Sequence, residues 1–149
     1  MRTLVLGVGN PILTDDGVGI EVAQRIREQV PHLDVVETSD AGIALLDHMV
    51  GYDRLIIIDS IKTEGGAPGD LYSVDVEDLK PARDLSSAHG IDIGTALQVG
   101  RGLTFHMPGT IRIYAIEVKD NTTFGEACTE EVQARIPAIA REIIGEEKL

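Results

Sequence analysis

The sequence predicts an α/β fold, with a twisted, mostly parallel five-stranded sheet between two layers of helices. Short apolar runs rich in Val and Ile alternate along the chain with segments of helical periodicity, and this order is typical of a sheet covered on both faces. The chain has 149 residues, 43% of them hydrophobic, which suffices for a sizeable core. We therefore predict a single domain over residues 1–149 that forms a three-layer sandwich.

Five segments have the composition of β-strands. The run over 54–59 is the most apolar in the chain, so we expect it at the centre of the sheet. The run over 71–76 alternates between apolar and polar residues, so we expect it at an edge. The predicted strands cover residues 3–8, 33–38, 54–59, 71–76 and 110–118.

Helices are predicted over residues 16–30, 43–50, 91–101 and 129–144. The first carries one apolar stripe with a spacing of four residues, made of Val18, Val22, Ile26 and Val30. Pro31 would end this helix. In the last helix we expect a bend at Pro137 and a C-cap at Gly145.

Charge and cysteine content exclude several classes of protein. The formal net charge is −12, which argues against nucleic acid and anionic membranes as partners. The single cysteine excludes an intrachain disulfide and gives no sign of an oxidising compartment. No apolar run approaches the roughly 20 residues of a membrane span, and the N-terminus lacks the pattern of a signal peptide. We therefore expect a cytoplasmic protein.

Acidic residues follow three of the predicted strands. Asp15 and Asp16 come after the first strand, Asp40 follows the second, and Asp59 closes the third. The carboxyl ends of parallel strands meet at one edge of a sheet, where ligands bind in such folds. His89, in the loop before a helix, can reach the same edge. Two carboxylates and one imidazole suit a divalent transition metal and leave coordination positions open.

Structural roles compete with these functional ones. Asp15, and less readily Asp16, could simply cap the first helix. Asp59 ends an apolar strand and would be partly buried, so it needs a partner. Cys128 has no neighbouring histidine in the sequence and is expected to pack. Surface or packing roles are expected for His32, His48 and His106.

The first loop begins like a nucleotide-binding loop but does not continue as one. Gly7 and Gly9 match the start of a dinucleotide fingerprint, whereas Ile12 occupies the position of its third glycine. The glycines allow a tight turn after the first strand. The carboxylates that follow suit a cation, because a phosphate site needs amide groups and no nearby acids.

Taken together, these segments resemble the nickel–iron hydrogenase maturation endopeptidases. The resemblance covers nearly the whole chain and rests on four motifs in the order and spacing of that family: LVLGVGNPILTDDGVG (4–19), SDAGIALLD (39–47), LIIIDS (55–60) and SSAHGID (86–92). The segment AIEVKDNTTFGE (115–126) is also similar to members that serve the coenzyme F420-linked hydrogenases.

The resemblance implies a function and a site. Such enzymes remove a C-terminal extension from the hydrogenase large-subunit precursor after nickel has been inserted, so the precursor is the implied partner. The metal-binding positions of the family fall on Asp16, Asp59 and His89. A fourth candidate catalytic residue is Asp40, where the usual Asp-Gly-Gly-Thr reads Asp-Ala-Gly-Ile. The nickel would belong to the substrate, and the purified protein could carry a surrogate such as cadmium or zinc.

Two other functions use overlapping residues. A phospho-receiver domain would use the acid pair, Asp59 and Lys119, but Asp120 follows Lys119 where a receiver has proline. A Ser–His–Asp hydrolase would use Ser60 or Ser86 as its nucleophile. Within the endopeptidase function, a metal-bound water, a polarised carbonyl and a carboxylate base all remain open as ways to hydrolyse the bond.

Overall fold

A computed structural model describes residues 1–75 and 93–149 of the chain. Five strands form one sheet in the order β2-β1-β3-β5-β4. The first four of these strands run parallel, and β4 lies antiparallel to β5 at the edge. The strands are β1 (Thr3–Val8), β2 (Asp34–Thr38), β3 (Arg54–Ile61), β4 (Leu71–Asp75) and β5 (Thr110–Glu117).

The helices cover both faces of the sheet, so the predicted fold class is confirmed. Short 3-10 turns at Thr14–Gly17 and Gly42–Leu45 precede the first two helices. No helix in the described ranges is long and apolar enough to cross a membrane. The helices are α1 (Val18–Gln29), α2 (Leu46–Met49), α3 (Ile93–Gly102) and α4 (Glu130–Glu147).

Two apolar clusters form the core, one on each face of the sheet. Helices α1 and α4 pack against the side chains of Val5, Ile56, Ile58 and Tyr114. The opposite cluster joins α2 and α3 to Leu4, Leu6, Leu55 and Ile57. The predicted stripe of α1 is buried at all four of its positions. Alternation along each strand therefore sends neighbouring side chains into different clusters.

Several element ends differ from the predictions. Strand β3 runs two residues past Asp59, because Ser60 and Ile61 continue to pair with β5. The first helix begins two residues late, after a 3-10 turn, and the first half of the second predicted helix is also a 3-10 turn.

The predicted C-cap at Gly145 is wrong, because α4 continues to Glu147 and ends at Lys148, whose φ of 56° is left-handed. Glu147 is nearly buried, and its carboxylate accepts hydrogen bonds from Arg54 and from the Tyr114 hydroxyl. These contacts hold the last helical turn against the sheet. Pro137 lies within α4, and a bend there stays a prediction.

Close backbone contacts at two glycines set the path from β1 into α1. A Cβ at Gly9 would lie 2.1 Å from the Asp16 carbonyl oxygen. A Cβ at Gly19 would lie 2.3 Å from the carbonyl oxygen of Ile58 and 2.8 Å from that of Val8. Real Cβ atoms do not approach backbone oxygens so closely, so α1 starts against the sheet only because these positions lack side chains.

Substituting Gly19 should therefore destabilise the protein, whereas the same change at Gly145 should not. Gly19→Ala forces α1 away from β1 and β3, and we expect a loss of about 1–3 kcal/mol. Gly145 is exposed inside α4 with nothing within 4 Å of an added Cβ. Gly145→Ala should increase the free energy of unfolding by roughly 0.5–1 kcal/mol. Urea denaturation of the two variants measures both effects, and equal stabilities would contradict the packing argument.

Candidate active site

Two loops meet at the carboxyl end of the sheet. They are residues 9–17, between β1 and α1, and residues 118–129, between β5 and α4, and we call them the paired loops. The Thr14 N–H donates to the Gly125 carbonyl at 2.9 Å, and the Gly125 N–H donates to Ile12 at the same distance. The Asp15 N–H donates to the Asp120 carbonyl at 2.8 Å. These bonds hold the two loops together as a short parallel pairing.

Asp15 is the buried centre of the paired loops. The N–H groups of Lys119 and Asp120 each donate to its Oδ2 at 3.0 Å. Thr129 donates its N–H to Oδ1 at 2.7 Å and also contacts the carboxylate through its hydroxyl, 2.9 Å from Oδ2. The expected capping of the first helix by Asp15 is wrong, because Gly17 occupies the N-cap and no side chain caps it. Asp15 holds the start of α4 instead.

Asp16 lies against strand β3. Its Oδ1 accepts a hydrogen bond from the Ser60 hydroxyl at 2.8 Å, and its Oδ2 accepts one from the Asn10 N–H at 2.9 Å. Asp16 is half-buried and does not cap the first helix either. The contact with Ser60 places it beside the residue that follows Asp59.

Asp59 is buried near the carboxyl end of β3, with only 1% of its surface exposed. Its Oδ1 accepts a hydrogen bond from the Ser60 N–H at 2.7 Å. The ladder between β1 and β3 ends at the pair Gly7–Ile58, so Asp59 lies beyond the last paired residue of β1. Asp16 and Asp59 both contact Ser60, Asp16 through the hydroxyl and Asp59 through the N–H, at the edge where the sequence predicted a site.

Asp40 lies on the surface and pairs with a histidine that sequence reasoning set aside. His48 Nε2 is 3.0 Å from Asp40 Oδ2, and the Asp40 N–H donates to the Thr38 hydroxyl. The hydrogen bond with His48 lowers the pKa of Asp40 below its usual value, and Thr38 contributes further lowering. An exposed side-chain contact of this kind gives the loop after β2 modest stability.

His89 and Ser86 lie outside the described residues, so the predicted three-residue metal set stays a prediction. Within 1–75 and 93–149 there is no group of three His, Cys, Asp or Glu side chains that could hold a metal ion. Of the predicted set, Asp16 and Asp59 are described, and both lie at the carboxyl end of β3.

The residues that a phospho-receiver domain would use for its site have other partners in this structure. Asp15 accepts its hydrogen bonds from the other paired loop, and Lys119 Nζ lies 3.0 Å from Glu131 Oε2. The hydrogen bond and charge of Glu131 raise the pKa of Lys119. The sheet order also differs from the all-parallel 2-1-3-4-5 order of receivers, because β4 is antiparallel and lies outside β5.

Neither Ser60 nor Cys128 has the surroundings of a nucleophile. Ser60 is 1% exposed, and its hydroxyl donates to a carboxylate. Cys128 packs against the core between α1 and α4, with Sγ 3.4 Å from Glu21 Oε2. Burial raises the pKa of the Cys128 thiol strongly, and the negative charge of Glu21 raises it further. A thiol that stays protonated is a poor nucleophile, in agreement with the predicted packing role.

Sequence reasoning missed Glu117, a third buried carboxylate at this end of the sheet. It ends β5 and is 1% exposed. It accepts hydrogen bonds from the Thr63 N–H at 2.7 Å, from the Thr63 hydroxyl, and from the Tyr72 hydroxyl at 3.1 Å. Glu117 therefore holds the loop between β3 and β4 against β5. The available signal was an acidic residue near the end of an apolar strand, the same signal that marked Asp59.

Comparison with known proteins identifies the family. The model of the HycI hydrogenase maturation protease family matches residues 20–146. The chain belongs to the hydrogenase maturation protease family. Family membership confirms the resemblance seen in the sequence and assigns the chain to a family of peptidases.

Curated relatives in this maturation protease family match different shares of the chain. Hydrogenase 2 maturation protease of Escherichia coli K12 is 39% identical over 82 residues, which cover 53% of this chain and 50% of that protein. Hydrogenase expression/formation protein HupM of Azotobacter chroococcum is 28% identical over 144 residues, covering 92% of this chain and 68% of that protein. The matches thus span about half to two thirds of the length of these relatives.

Solved structures of maturation proteases share the whole fold. The hydrogenase maturating endopeptidase HybD from E. coli superposes with a TM-score of 0.82 at 27% identity, covering 99% of this chain and 93% of that one. The NiFe hydrogenase maturation protease HybD from Thermococcus kodakarensis gives a TM-score of 0.77 at 26% identity, covering 98% of both chains. The arrangement of strands around Asp59 is therefore that of the family.

Replacing Asp15 should destabilise this maturation protease much more than replacing an exposed aspartate. Asp15→Asn puts an amide NH₂ group against donors that need an acceptor, and we expect a loss of about 2–4 kcal/mol. Asp47 is exposed on α2, and Asp47→Asn should change stability by less than about 0.5 kcal/mol. Urea denaturation compares the two variants. Similar losses would show that the bonds of Asp15 contribute little.

Acid should loosen the loop that contains Asp120. The backbone and hydroxyl of Thr123, together with the N–H of Thr122, lower the pKa of Asp120 to about 2. A depressed folded-state pKa stabilises the fold above the unfolded value, and this contribution is lost as the pH falls from about 4 to about 2. NMR titration of the carboxyl carbon should give this midpoint. Asp120→Asn should make stability less dependent on pH over that interval, and an Asp120 midpoint near 4 would contradict the assignment.

Proposed function

We propose that the chain is an endopeptidase that removes the C-terminal extension of a nickel–iron hydrogenase large-subunit precursor after nickel insertion. The observation that carries the proposal is that Asp16 and Asp59 both contact Ser60 at the carboxyl end of β3, in a maturation protease fold. Acidic side chains held at one sheet edge suit recognition of a cation more than recognition of an anionic group.

The nickel is substrate in this proposal, because it arrives bound to the precursor. Asp16 and Asp59 supply carboxylate oxygens, and His89 supplies an imidazole nitrogen. Hydrogen bonds from Ser60 and Asn10 fix the orientation of the Asp16 carboxylate, as outer partners of metal ligands do. Asp59 is buried at the same edge, and the Ser60 N–H orients its Oδ1.

Recognition of the metal would place the scissile bond beside the carboxylates. A carboxylate can then accept a proton from the attacking water, or the nickel can polarise the scissile carbonyl. Asp40 is a further candidate, and its hydrogen bond with His48 lowers the pKa of its carboxyl below the usual value. A surrogate cadmium or zinc ion in the purified protein, service to an F420-linked hydrogenase and a cytoplasmic location stay predictions.

Nickel-free precursor should remain essentially uncut even at high enzyme concentration. A tenfold preference requires only about 1.4 kcal/mol, and the loss of a ligated metal should cost several times that amount. The enzyme is incubated with precursor from nickel-starved cells and with the same precursor after nickel loading. Mass spectrometry follows the released C-terminal peptide.

Two variants serve as controls for this experiment. Asp59→Asn should abolish cleavage of the nickel-loaded precursor, whereas Asp47→Asn should cleave it at the normal rate. Circular dichroism checks that both variants fold. Equal cleavage of loaded and nickel-free precursor would refute recognition of substrate-borne nickel, and full activity of Asp59→Asn would refute the assigned site.

A further inference from the structure

Glu117 lies where three chain segments meet at the carboxyl end of the sheet. It is the last residue of β5 and pairs with Ile61, the last residue of β3. The Val118 N–H donates to the Ile61 carbonyl at 2.9 Å and adds one more bond to this pairing. The Glu117 N–H donates to the Asp70 carbonyl at 2.8 Å, just before β4 begins. The end of β3 and the start of β4 are therefore both tied to the backbone around Glu117.

The buried carboxylate of Glu117 holds Thr63 through two hydrogen bonds. Its Oε2 accepts the Thr63 N–H at 2.7 Å, and its Oε1 accepts the Thr63 hydroxyl. The Tyr72 hydroxyl donates to the same Oε1 at 3.1 Å. Burying a carboxylate is costly, whereas an apolar side chain would pack at this position without that cost. The carboxylate is therefore better explained by the segment that it holds than by the packing of the core.

The loop over residues 62–70 is folded closely around this carboxylate. A Cβ at Gly66 would lie 2.0 Å from Glu117 Oε1, and the carboxylate could move aside only by breaking its hydrogen bonds. The Gly69 N–H donates to the Glu117 carbonyl at 2.8 Å, and Arg135 Nε on α4 donates to the Gly69 carbonyl at 3.3 Å. The loop is thus fastened at its start, its middle and its end.

The segments that meet at Glu117 continue directly into the candidate active site. Thr63 follows Asp59 by four residues, so the contact with Glu117 fixes the chain just beyond Asp59. On the other strand, the second and third residues after Glu117 donate their N–H groups to Asp15, which precedes Asp16. A single carboxylate therefore borders both the segment that carries Asp59 and the loop that holds Asp15.

We propose that Glu117 is a positioning residue for the cleavage reaction: by holding Thr63 it fixes the end of β3, and with it the orientation of Asp59. This inference rests on the proposed function, since it takes Asp59 as a residue of the site. Glu117 acts through the backbone and takes no part in the chemical step. Because a displacement of about 1 Å can slow a reaction roughly 100-fold, the rate of cleavage depends on this contact.

Removing the acceptor oxygens of Glu117 tests this role. Glu117→Met keeps a side chain of similar length but leaves the Thr63 N–H without its acceptor. With nickel-loaded precursor it should lower kcat at least about tenfold and leave KM within about threefold, because the side chains that meet the precursor are unchanged. Glu117→Gln should keep kcat within about threefold of the unaltered enzyme, since its amide oxygen accepts the Thr63 N–H and its NH₂ group donates to the two hydroxyl oxygens. An unchanged kcat in Glu117→Met would overturn the proposal.

Tyr114→Phe is the matched control. Tyr114 donates its hydroxyl to Glu147, a buried glutamate at the opposite end of the sheet. This variant should lose stability and keep both kinetic constants within about twofold. Thermal unfolding checks that each variant is folded at the assay temperature. A tenfold lower kcat in Tyr114→Phe as well would show that kcat follows overall stability, and it would refute a specific role of Glu117.

A milder variant decides the question if Glu117→Met does not fold. Thr63 is exposed, and Thr63→Val removes the hydroxyl that donates to Glu117 while keeping the backbone N–H. It should lower kcat at least about threefold with KM unchanged. An unaltered kcat in a folded Thr63→Val protein would overturn the proposal.

Hydrogen exchange tests the same contact without the precursor. The Ser60 N–H donates to Asp59 Oδ1 at 2.7 Å, so its exchange rate reports on the orientation of that carboxylate. In Glu117→Met, exchange at Ser60 should accelerate at least about tenfold relative to the Ile56 amide of the same strand, and in Tyr114→Phe this ratio should stay the same. An unchanged ratio in Glu117→Met would refute the positioning of Asp59. If the unaltered enzyme does not cleave the loaded precursor, the proposed function fails, and the exchange ratio still decides whether Glu117 orients Asp59.

Discussion

The carboxylate of Asp15 is the interaction on which the carboxyl end of the sheet depends. Burying a charged carboxylate is costly unless hydrogen-bond donors surround it. Asp15 is fully buried and accepts bonds from three residues more than 100 positions away in the sequence. One of them, Thr129, is the N-cap residue of α4, so the negative charge also lies at the positive end of the helix dipole. A single side chain thus fixes both paired loops and the start of α4.

This constraint explains why two adjacent acids have different tasks. The 3-10 turn at Thr14–Gly17 directs Asp15 towards the 118–129 loop and Asp16 towards Ser60 on β3. The turn can form because Gly9 lets the backbone pass close to the Asp16 carbonyl oxygen. Asp15 accepts hydrogen bonds from amides and a hydroxyl of the 118–129 loop, whereas Asp16 and Asp59 both contact Ser60 on β3. Because this loop is rigid, the position of its Asp16 carboxylate in the candidate site is well defined.

Sequence patterns predicted the strands and helices of this fold well, because the spacing of apolar residues along the chain reflects which side chains are buried. A strand buried on both faces has a continuous apolar sequence, and the buried stripe of α1 has an apolar residue at every fourth position. The edge position of β4 followed from its alternation. Long-range partners were not predictable, because no local pattern shows that Asp15 meets Thr129 or that Glu147 meets Arg54. For this reason the role of Asp15 and the end of α4 were both predicted incorrectly.

The two ends of the sheet show how the partner of a buried acid determines its role. At the amino end, Glu147 contacts the guanidinium of Arg54 and the hydroxyl of Tyr114, and this arrangement fastens α4 to the strands. At the carboxyl end, Asp15 is satisfied by backbone amides, and the nearby Lys119 pairs with Glu131 on the surface. Asp59 is also buried, and its Oδ1 accepts a hydrogen bond from the N–H of Ser60. At the same end, the Ser60 hydroxyl donates to Asp16, so one residue of β3 contacts both of the described carboxylates that the proposed function assigns to the nickel.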